Sequence, residues 1–349
     1  MTKKDYILGI DTSCDDTSMA LLRISTKKVV ASVISSQIKL HAKFGGIMPE
    51  LASRAHMENL HAVFKQVLLE AGIQASDLGM IAVTKTPGLM GCLLVGTSFA
   101  QGLAYRLGIP LQGVNHLEAH LFSPFIGKDP VYPFLGLVVS GGHTSFYRAE
   151  AADDIKILGQ TVDDAAGEAF DKCAKMMGLG YPGGPVVDKR AKQGNDEAYK
   201  FVVAKVKMGA QYLSFSGLKT QAHYHVQNMD LSNEQSIDDM CASLQKGIVA
   251  ALTQKMNYFI EQGEYSCFVI GGGVAMNSLL RERMQNIEAS TGLSCKIAAP
   301  EYCTDNGAMI AYVALLQNKI DELFTLNVEA SQKIQARKLK NETIGSKKN

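Results

Sequence analysis

Two strand–turn–strand units about 130 residues apart constrain this chain more than any other feature. Tyr6-Ile-Leu-Gly-Ile-Asp11 and Ser18-Met-Ala-Leu-Leu-Arg23 are apolar runs of strand length joined by the polar turn at 12–17. Pro133-Phe-Leu-Gly-Leu-Val-Val139 and Thr144-Ser-Phe-Tyr-Arg148 repeat that plan around Ser140-Gly-Gly-His143. A repeat of this kind predicts a duplicated unit. Helix-like periodicity at 49–71, 89–107, 165–177, 237–262 and 305–318 alternates with the strands, which predicts an α/β fold of two duplicated lobes around a central cleft. A length of 349 residues is enough for both lobes. A third glycine turn, Gly271-Gly-Gly273, follows the apolar run Cys267-Phe-Val-Ile270 and precedes a predicted helix at 278–288. The Gly- and Pro-rich loop at 178–184 is expected to wall the cleft.

A chain that is 46% hydrophobic and 20% charged is folded rather than disordered. Its net charge of +1 gives no global attraction to nucleic acid. The tail at 331–349 has six cations (Lys333, Arg337, Lys338, Lys340, Lys347, Lys348) against Glu342, and reads either as an RNA contact or as a solvated, flexible tail. Seven scattered Cys without a C-x-x-C argue against a disulfide framework or zinc knuckle and for a reducing compartment. The first residues lead straight into a strand, so no signal peptide and a cytoplasmic location are expected. The apolar segment at 88–105 is interrupted by Gly91, Gly96, Thr97, Ser98 and Gln101, too polar and short for a membrane span.

The chemistry concentrates in a few stretches. His116-Leu-Glu-Ala-His120 puts two imidazoles on adjacent turns of one helix face, able to share one ion. A third ligand is needed. Asp305, at the start of the predicted helix after Cys303-Thr-Asp-Asn-Gly307, is the best candidate, with an N-cap as its alternative role. Two His and one Asp leave open positions suited to Fe²⁺ or Zn²⁺. A metalloprotease is disfavoured, because Glu118 lies about 200° around the helix from His116. Asp15 and Asp16, in the first turn, could bind Mg²⁺ through water, accept a proton, or only build Asx turns. Ser140-Gly141-Gly142 leaves backbone N–H groups open to an anion, and Gly271-Gly-Gly273 before a helix is a second candidate of that type. Asp164, Glu168 and Asp171 are expected along one helix face with few compensating bases, either solvated or relieved by a ligand, with Asp171 assigned to ribose or base binding.

Taken in order, these motifs resemble the tRNA N6-adenosine threonylcarbamoyltransferase family, the TsaD-type proteins once called glycoprotease-like. The matching stretches include residues 9–17, Pro49-Glu-Leu-Ala-Ser-Arg-Ala-His56, the His116/His120 segment, Val139 to Thr144, 163–172, Tyr181-Pro-Gly-Gly-Pro185, Ser214-Phe-Ser-Gly-Leu-Lys-Thr220, 271–277 and 303–307. The resemblance implies an actin-like, sugar-kinase-like (ASKHA) fold, with a first lobe at 1–115 joined by a C-terminal helix at about 307–330, and a second lobe at 116–306. It implies transfer of threonylcarbamoyl from threonylcarbamoyl-AMP to the exocyclic amine of the adenosine 3′ of the anticodon in tRNA. It implies one divalent metal per subunit, Fe²⁺ before Zn²⁺, on His116, His120 and Asp305. Donor contacts would come from Val139, Ser140, Gly141, Gly142, His143, Asp171, Gly184, Asp188 and Asn277, and Asp15 and Asp16 would form the catalytic acidic turn. A TsaB-type paralogue and a TsaE-type ATPase are the implied partners, with a homodimer as the alternative. The partner surface is expected near helix 49–71.

The chain departs from the family pattern at Asp11 and Asp16, where Glu is usual, at Thr86 in Lys85-Thr-Pro-Gly88, and at Met276. Other readings of the same residues are a kinase, a non-catalytic scaffold or a small-molecule carbamoyltransferase of the same fold. The kinase would not need the His pair, and the scaffold would have lost it.

Overall fold

The computed structural model describes residues 4–203, 206–322 and 326–331. Five strands, β1 (Tyr6–Asp11), β2 (Asp16–Arg23), β3 (Lys28–Ser36), β4 (Leu78–Thr86) and β5 (Leu111–Asn115), form one sheet in the order β3-β2-β1-β4-β5. Five more, β6 (Phe134–Val139), β7 (Thr144–Ala149), β8 (Ile155–Gln160), β9 (Cys267–Gly271) and β10 (Cys295–Ile297), form the second in the order β10-β9-β6-β7-β8. In both sheets the first three strands are antiparallel and the last two parallel to the first, so the second reproduces the first strand for strand. The duplication expected from the two hairpins is therefore present as a repeated five-strand topology.

Strand alternation sorts the core into three layers. Ile7, Leu22, Phe134 and Val138 face a middle layer containing the helices His116–Phe122 and Gly307–Gln317. Leu8, Ile10, Met19 and Leu21 face the helices Pro49–Ala71 and Met90–Leu107. Leu135, Leu137, Phe146 and Phe268 face helices Ala166–Met176, Glu234–Glu261 and Ser278–Thr291. Helix Gly307–Gln317 packs on β1, β2, β4 and β5 although it follows the second sheet in sequence. It ends at Gln317, with Asn318 left-handed (φ 46°), rather than continuing to about 330.

The middle layer is thin because two backbones touch. A Cβ on Gly9 would lie 2.0 Å from Gly307 O and 2.6 Å from Ala311 N. These are backbone atoms and cannot swing aside. Gly9→Ala is expected to destabilise the fold at or above the upper end of the roughly 1–3 kcal/mol typical of overpacking. Gly102, inside helix Met90–Leu107, has nothing within 4 Å of the same added atom. Gly102→Ala is expected to stabilise by about 0.5–1 kcal/mol through helix propensity. Urea unfolding of both variants checks the pair, and equal effects would contradict the close approach of the two backbones.

Among the described residues no helix is long and apolar enough to cross a membrane. All seven Cys are free thiols.

Candidate active site

The turns after β1, β4, β5, β6 and β9 gather at the carboxyl ends of the parallel strands, the position where open α/β sheets bind ligands. β5 ends at Asn115, whose side chain accepts hydrogen bonds from Leu117 N (2.8 Å) and Glu118 N (3.3 Å) and so caps the helix that begins at His116. His116 and His120 then stand on successive turns with ring centroids 4.5 Å apart. Asp305 Oδ1 lies 3.1 Å from His120 Nε2 and 3.5 Å from His116 Nε2. Ligand atoms of the three residues all fall within 4.8 Å of one another. Asp305 does not cap the following helix, because Asn306 does so through Met309 N (2.9 Å). Its carboxylate is left for the imidazoles.

Asp11, fully buried, was not among the residues expected here. Its carboxylate accepts from Ser13 N (3.0 Å) and Thr84 Oγ1 (2.9 Å), and lies 3.1 Å from His116 Nδ1. That contact, with Ser13 Oγ at 3.2 Å, favours a proton on His116 Nδ1 and leaves Nε2 toward Asp305, the arrangement of a metal-binding imidazole backed by a carboxylate. His120 Nδ1 is buried without a partner among the described residues, so only one of the two rings is oriented in this way. Two imidazoles and a carboxylate, converging and almost enclosed, are a donor set that fits a divalent ion such as Fe²⁺ or Zn²⁺. Glu118 points away, accepting from Gln317 Nε2 (2.7 Å).

The charges in this cluster are linked. Burial opposes protonation of His116, but Asp305 and Asp11 outweigh it and raise its pKa to about 9. His120 is lowered by burial and then by His116. Asp305 would be raised by burial, but the imidazoles hold it well below the usual carboxylate range. Burial and the His116 and His120 imidazoles push His143 down to about 4.

Two adjoining cavities open from the triad. The larger, about 760 Å³, is lined by Ser13, Cys14, Asp15, His116, Gly142, His143 and Asp305 among others. The smaller, about 430 Å³, is lined by Asp16, Gly184, Asp188, Gly273, Met276 and Asn277 among others. Asp15, Ser140, Gly141, Asp171, Tyr181 and Asp305 line both. The Ser140–His143 turn is closed by Ser140 N to His143 O (2.8 Å) and His143 N to Ser140 Oγ (3.2 Å). A Cβ on Gly141 or Gly142 would meet nothing within 4 Å, so the backbone there is open to a ligand. Asp171 Oδ1 accepts from Gly183 N (2.7 Å) and Gly184 N (3.3 Å), fixing the loop that begins helix Gly183–Ala191. Asp188 accepts from Ser278 N and Oγ (2.9 and 2.7 Å), and Asn277 Oδ1 accepts from Leu280 N (3.0 Å), so both also hold the start of helix Ser278–Thr291.

The structure bears on several other expectations. The Val139 side chain is fully buried in the outer core and lines neither cavity. Of the three glycines at 271–273, only Gly273 lines a cavity. A Cβ on Gly271 would lie 2.0 Å from His120 O, and one on Gly272 would lie 2.3 Å from Val139 O. Those two permit close backbone packing rather than anion binding, and a short turn at Gly273–Met276 separates them from the helix. The acidic face at 164–171 is compensated: Lys172 pairs with Asp164 (2.8 Å) and Glu168 (2.7 Å), and Lys219 with Asp164 (2.6 Å). Asp163 collects Ser214 Oγ, Phe215 N and Ser216 N and Oγ, a structural role for the Ser214-Phe-Ser-Gly stretch. Thr86 lies at an irregularity of the β4–β5 pairing with its hydroxyl buried and unpartnered among the described residues, and Met276 is 48% exposed on the cavity wall. The basic tail beyond Ser331 lies outside the described residues.

The fold class is that of the actin-like, sugar-kinase-like proteins. The chain superposes on T. kodakarensis HypF with a TM-score of 0.58 at 14% identity, over 90% of this chain and 47% of that one. It superposes on (R)-2-hydroxyglutaryl-CoA dehydratase component A of Acidaminococcus fermentans with a TM-score of 0.53 at 16% identity, over 89% and 96% of the two chains. Residues 28–312 match the family profile TsaD, tRNA N6-adenosine threonylcarbamoyltransferase. Proteins of that name from Thermosipho africanus and Clostridium perfringens are 46% and 44% identical to it, over 87% and 95% of this chain and 92% and 98% of theirs. The chain belongs to the tRNA N6-adenosine threonylcarbamoyltransferase family.

Proposed function

We propose that the protein transfers the threonylcarbamoyl group of threonylcarbamoyl-AMP to the exocyclic amine of the adenosine 3′ of the anticodon in tRNA, releasing AMP. The observation that carries this reading is the His116/His120/Asp305 convergence beside the open Ser140–His143 turn, in a chain of this family. A divalent ion on the triad would supply Lewis-acid polarisation of the donor's carbonyl or phosphate. The chain's own residues supply the rest. The open Gly141–Gly142 backbone is suited to the adenylate phosphate, and the smaller cavity, bounded by Gly184, Asp188 and Asn277, to its nucleoside part. In the transfer, the amine nitrogen bonds to the carbamoyl carbon, the bond from that carbon to the AMP oxygen breaks, and the amine loses a proton.

Asp16 is the best-placed acceptor of that proton. It lines the smaller cavity, its Oδ1 is buried and unpartnered among the described residues, and burial raises its pKa to about 7 against the opposing Ser36 hydrogen bond. Asp15, also raised by burial and by Asp305, stands beside it as a positioning group. An acid whose folded pKa is raised is a base only above that value, so kcat/KM is expected to rise with pH through about 7. The same shift means that stability falls as pH rises from the ordinary Asp value toward 7. Asp16→Asn should remove the limb near pH 7 and flatten that decline. A limb that persists in the variant would assign the proton elsewhere.

The proposed docking surface for a TsaB-type paralogue is the solvent side of the first-lobe helix Pro49–Ala71, where Met57 (68%) and Leu69 (74%) are exposed about 120° apart around the axis. A TsaE-type ATPase is the proposed second partner, and a homodimer on that face is the alternative. The function is tested by incubating the protein, alone and with those partners, with threonylcarbamoyl-AMP and unmodified tRNA, then weighing the digested nucleosides. Threonylcarbamoyladenosine is expected. AMP release without it would move the acceptor to water or a small molecule.

A further inference from the structure

Three consecutive carbonyls of the acidic turn between β1 and β2 are each bonded. Ser13 O accepts from Leu89 N (2.8 Å), Asp15 O from Gln37 N (3.1 Å), and Cys14 O, between them, from His56 Nε2 (3.0 Å). The outer two donors are backbone amides, which nearly any residue would supply. The middle donor is a side chain. It comes from helix Pro49–Ala71, whose other buried residues, Ala52, Leu60, Val63 and Val67, are all apolar. An imidazole in such a stripe costs desolvation unless its ring nitrogens are paired.

The pairing assigns a role to each ring nitrogen. Cys14 O can only accept, so Nε2 carries the proton, Nδ1 accepts, and Thr17 Oγ1 is the donor across 2.7 Å. Gln37 Nε2 approaches the same Nδ1 at 3.5 Å and Ala52 O at 3.4 Å. That amide orientation is set from its other end, where Gln37 Oε1 accepts from His41 Nε2 (3.1 Å) and His41 Nδ1 accepts from Met48 N (3.3 Å). Thr17, Gln37, His41 and His56 are all buried. Burial holds the His56 pKa below the ordinary histidine value, in keeping with a neutral ring. One donor and one acceptor on that ring therefore grip Cys14 and Thr17, the residues on either side of Asp15 and Asp16.

We infer that His56 is a positioning residue for the transfer step: by bridging Cys14 O and Thr17 Oγ1 it sets where Asp15 and Asp16 stand in the two cavities, which rests on the acidic turn serving the reaction proposed above. Asp15 lines both cavities and Asp16 the smaller one. Two adjacent, largely buried acids repel each other, and a turn free to yield would let them separate or swing toward solvent. The clamp opposes that movement through the backbone and the Thr17 hydroxyl, without a hydrogen bond to either carboxylate among the described residues. A misplacement of about 1 Å at an acting group can cost about 10²-fold in rate, so loss of the ring should be felt in kcat.

The test compares full-length wild type, His56→Phe, His56→Gln and Thr17→Val for kcat and for the KM of donor and tRNA, with metal content, AMP affinity and the urea midpoint measured on each. Phe fills the volume of the ring without a polar atom, and kcat is expected to fall about 10²-fold with both KM values, metal content and AMP affinity retained. Gln can turn its NH₂ toward Cys14 O and its oxygen toward Thr17 Oγ1, and is expected to recover most of that loss. Thr17→Val removes one of the two bonds and leaves the imidazole in place, so its kcat should fall between wild type and His56→Phe. Wild-type kcat in a folded His56→Phe, or an equal loss in the Phe and Gln variants, would overturn the inference and leave the function standing. A rise in KM with kcat kept would give His56 to substrate binding and overturn it too. Should His56→Phe fail to fold, wild-type kcat in Thr17→Val would overturn it. A wild type that makes no threonylcarbamoyladenosine would overturn the function itself, and the inference with it.

Discussion

His120→Ala is expected to lower kcat/KM for threonylcarbamoyl transfer by about 10³-fold or more and to reduce bound metal from one equivalent to near zero. The ring is fully buried, and its Nε2 is the donor nearest Asp305, at 3.1 Å. Without it, two ligands remain, His116 and Asp305, too few to hold a borderline divalent ion against buffer. Lewis-acid stabilisation is worth several kcal/mol, and each 1.36 kcal/mol is tenfold in rate. The adenylate side should be spared, because the Ser140–His143 turn and the smaller cavity do not use His120. AMP binding by calorimetry is therefore expected near the wild-type value. Metal loss with transfer retained would remove the ion from the mechanism.

The second large effect is expected from Asp11→Asn. Asn keeps an oxygen to accept from Ser13 N and Thr84 Oγ1, so the fold should survive. The atom facing His116 Nδ1 becomes an amide NH₂, a donor where the ring needs an acceptor. With only Ser13 Oγ (3.2 Å) left to accept from Nδ1, the His116 proton shifts toward Nε2, the atom that faces Asp305. Metal affinity is expected to fall about 10–100-fold, with transfer following it at limiting metal and recovering at saturating metal. Asp11→Ala should be worse, since Ser13 N loses its acceptor at a cost of about 1–3 kcal/mol, while Thr84 Oγ1 and His116 Nδ1 keep only Ile10 O (3.5 Å) and Ser13 Oγ (3.2 Å). Recovery of transfer by added metal in Asp11→Asn, and not in His120→Ala, separates orientation from ligation.

Much of the scaffold is readable from sequence because its signals are local. Pro49 at the first helical turn and left-handed Gly72 after the last bracket helix Pro49–Ala71 to the residue. The strands flanking the acidic turn and the Ser140–His143 turn are apolar runs ended by polar residues, which no helix period fits. The His pair is visible for the same reason, since four residues on one helix fix its geometry. The early stop of the last helix had a local sign too, Asn318, a residue tolerant of the left-handed cap.

What sequence reading missed depends on partners supplied by topology. Asp11 meets His116 across 105 residues, and Lys219 neutralises Asp164 across 55. The glycines at 271 and 272 look like an anion loop in the linear chain and prove to be contact points for the backbones of His120 and Val139. Val139 belongs to a motif whose chemistry lies in the following turn, while its own side chain obeys the strand alternation and enters the core.

The measurement that tests the central claim most directly is a metal titration of chelator-stripped protein, with threonylcarbamoyladenosine in digested tRNA quantified at each step. Transfer that is absent in the stripped protein, returns in proportion to bound Fe²⁺ or Zn²⁺, and saturates at one equivalent per chain is the expected result. Full transfer by protein shown by mass spectrometry to carry no metal would contradict the role given to His116, His120 and Asp305.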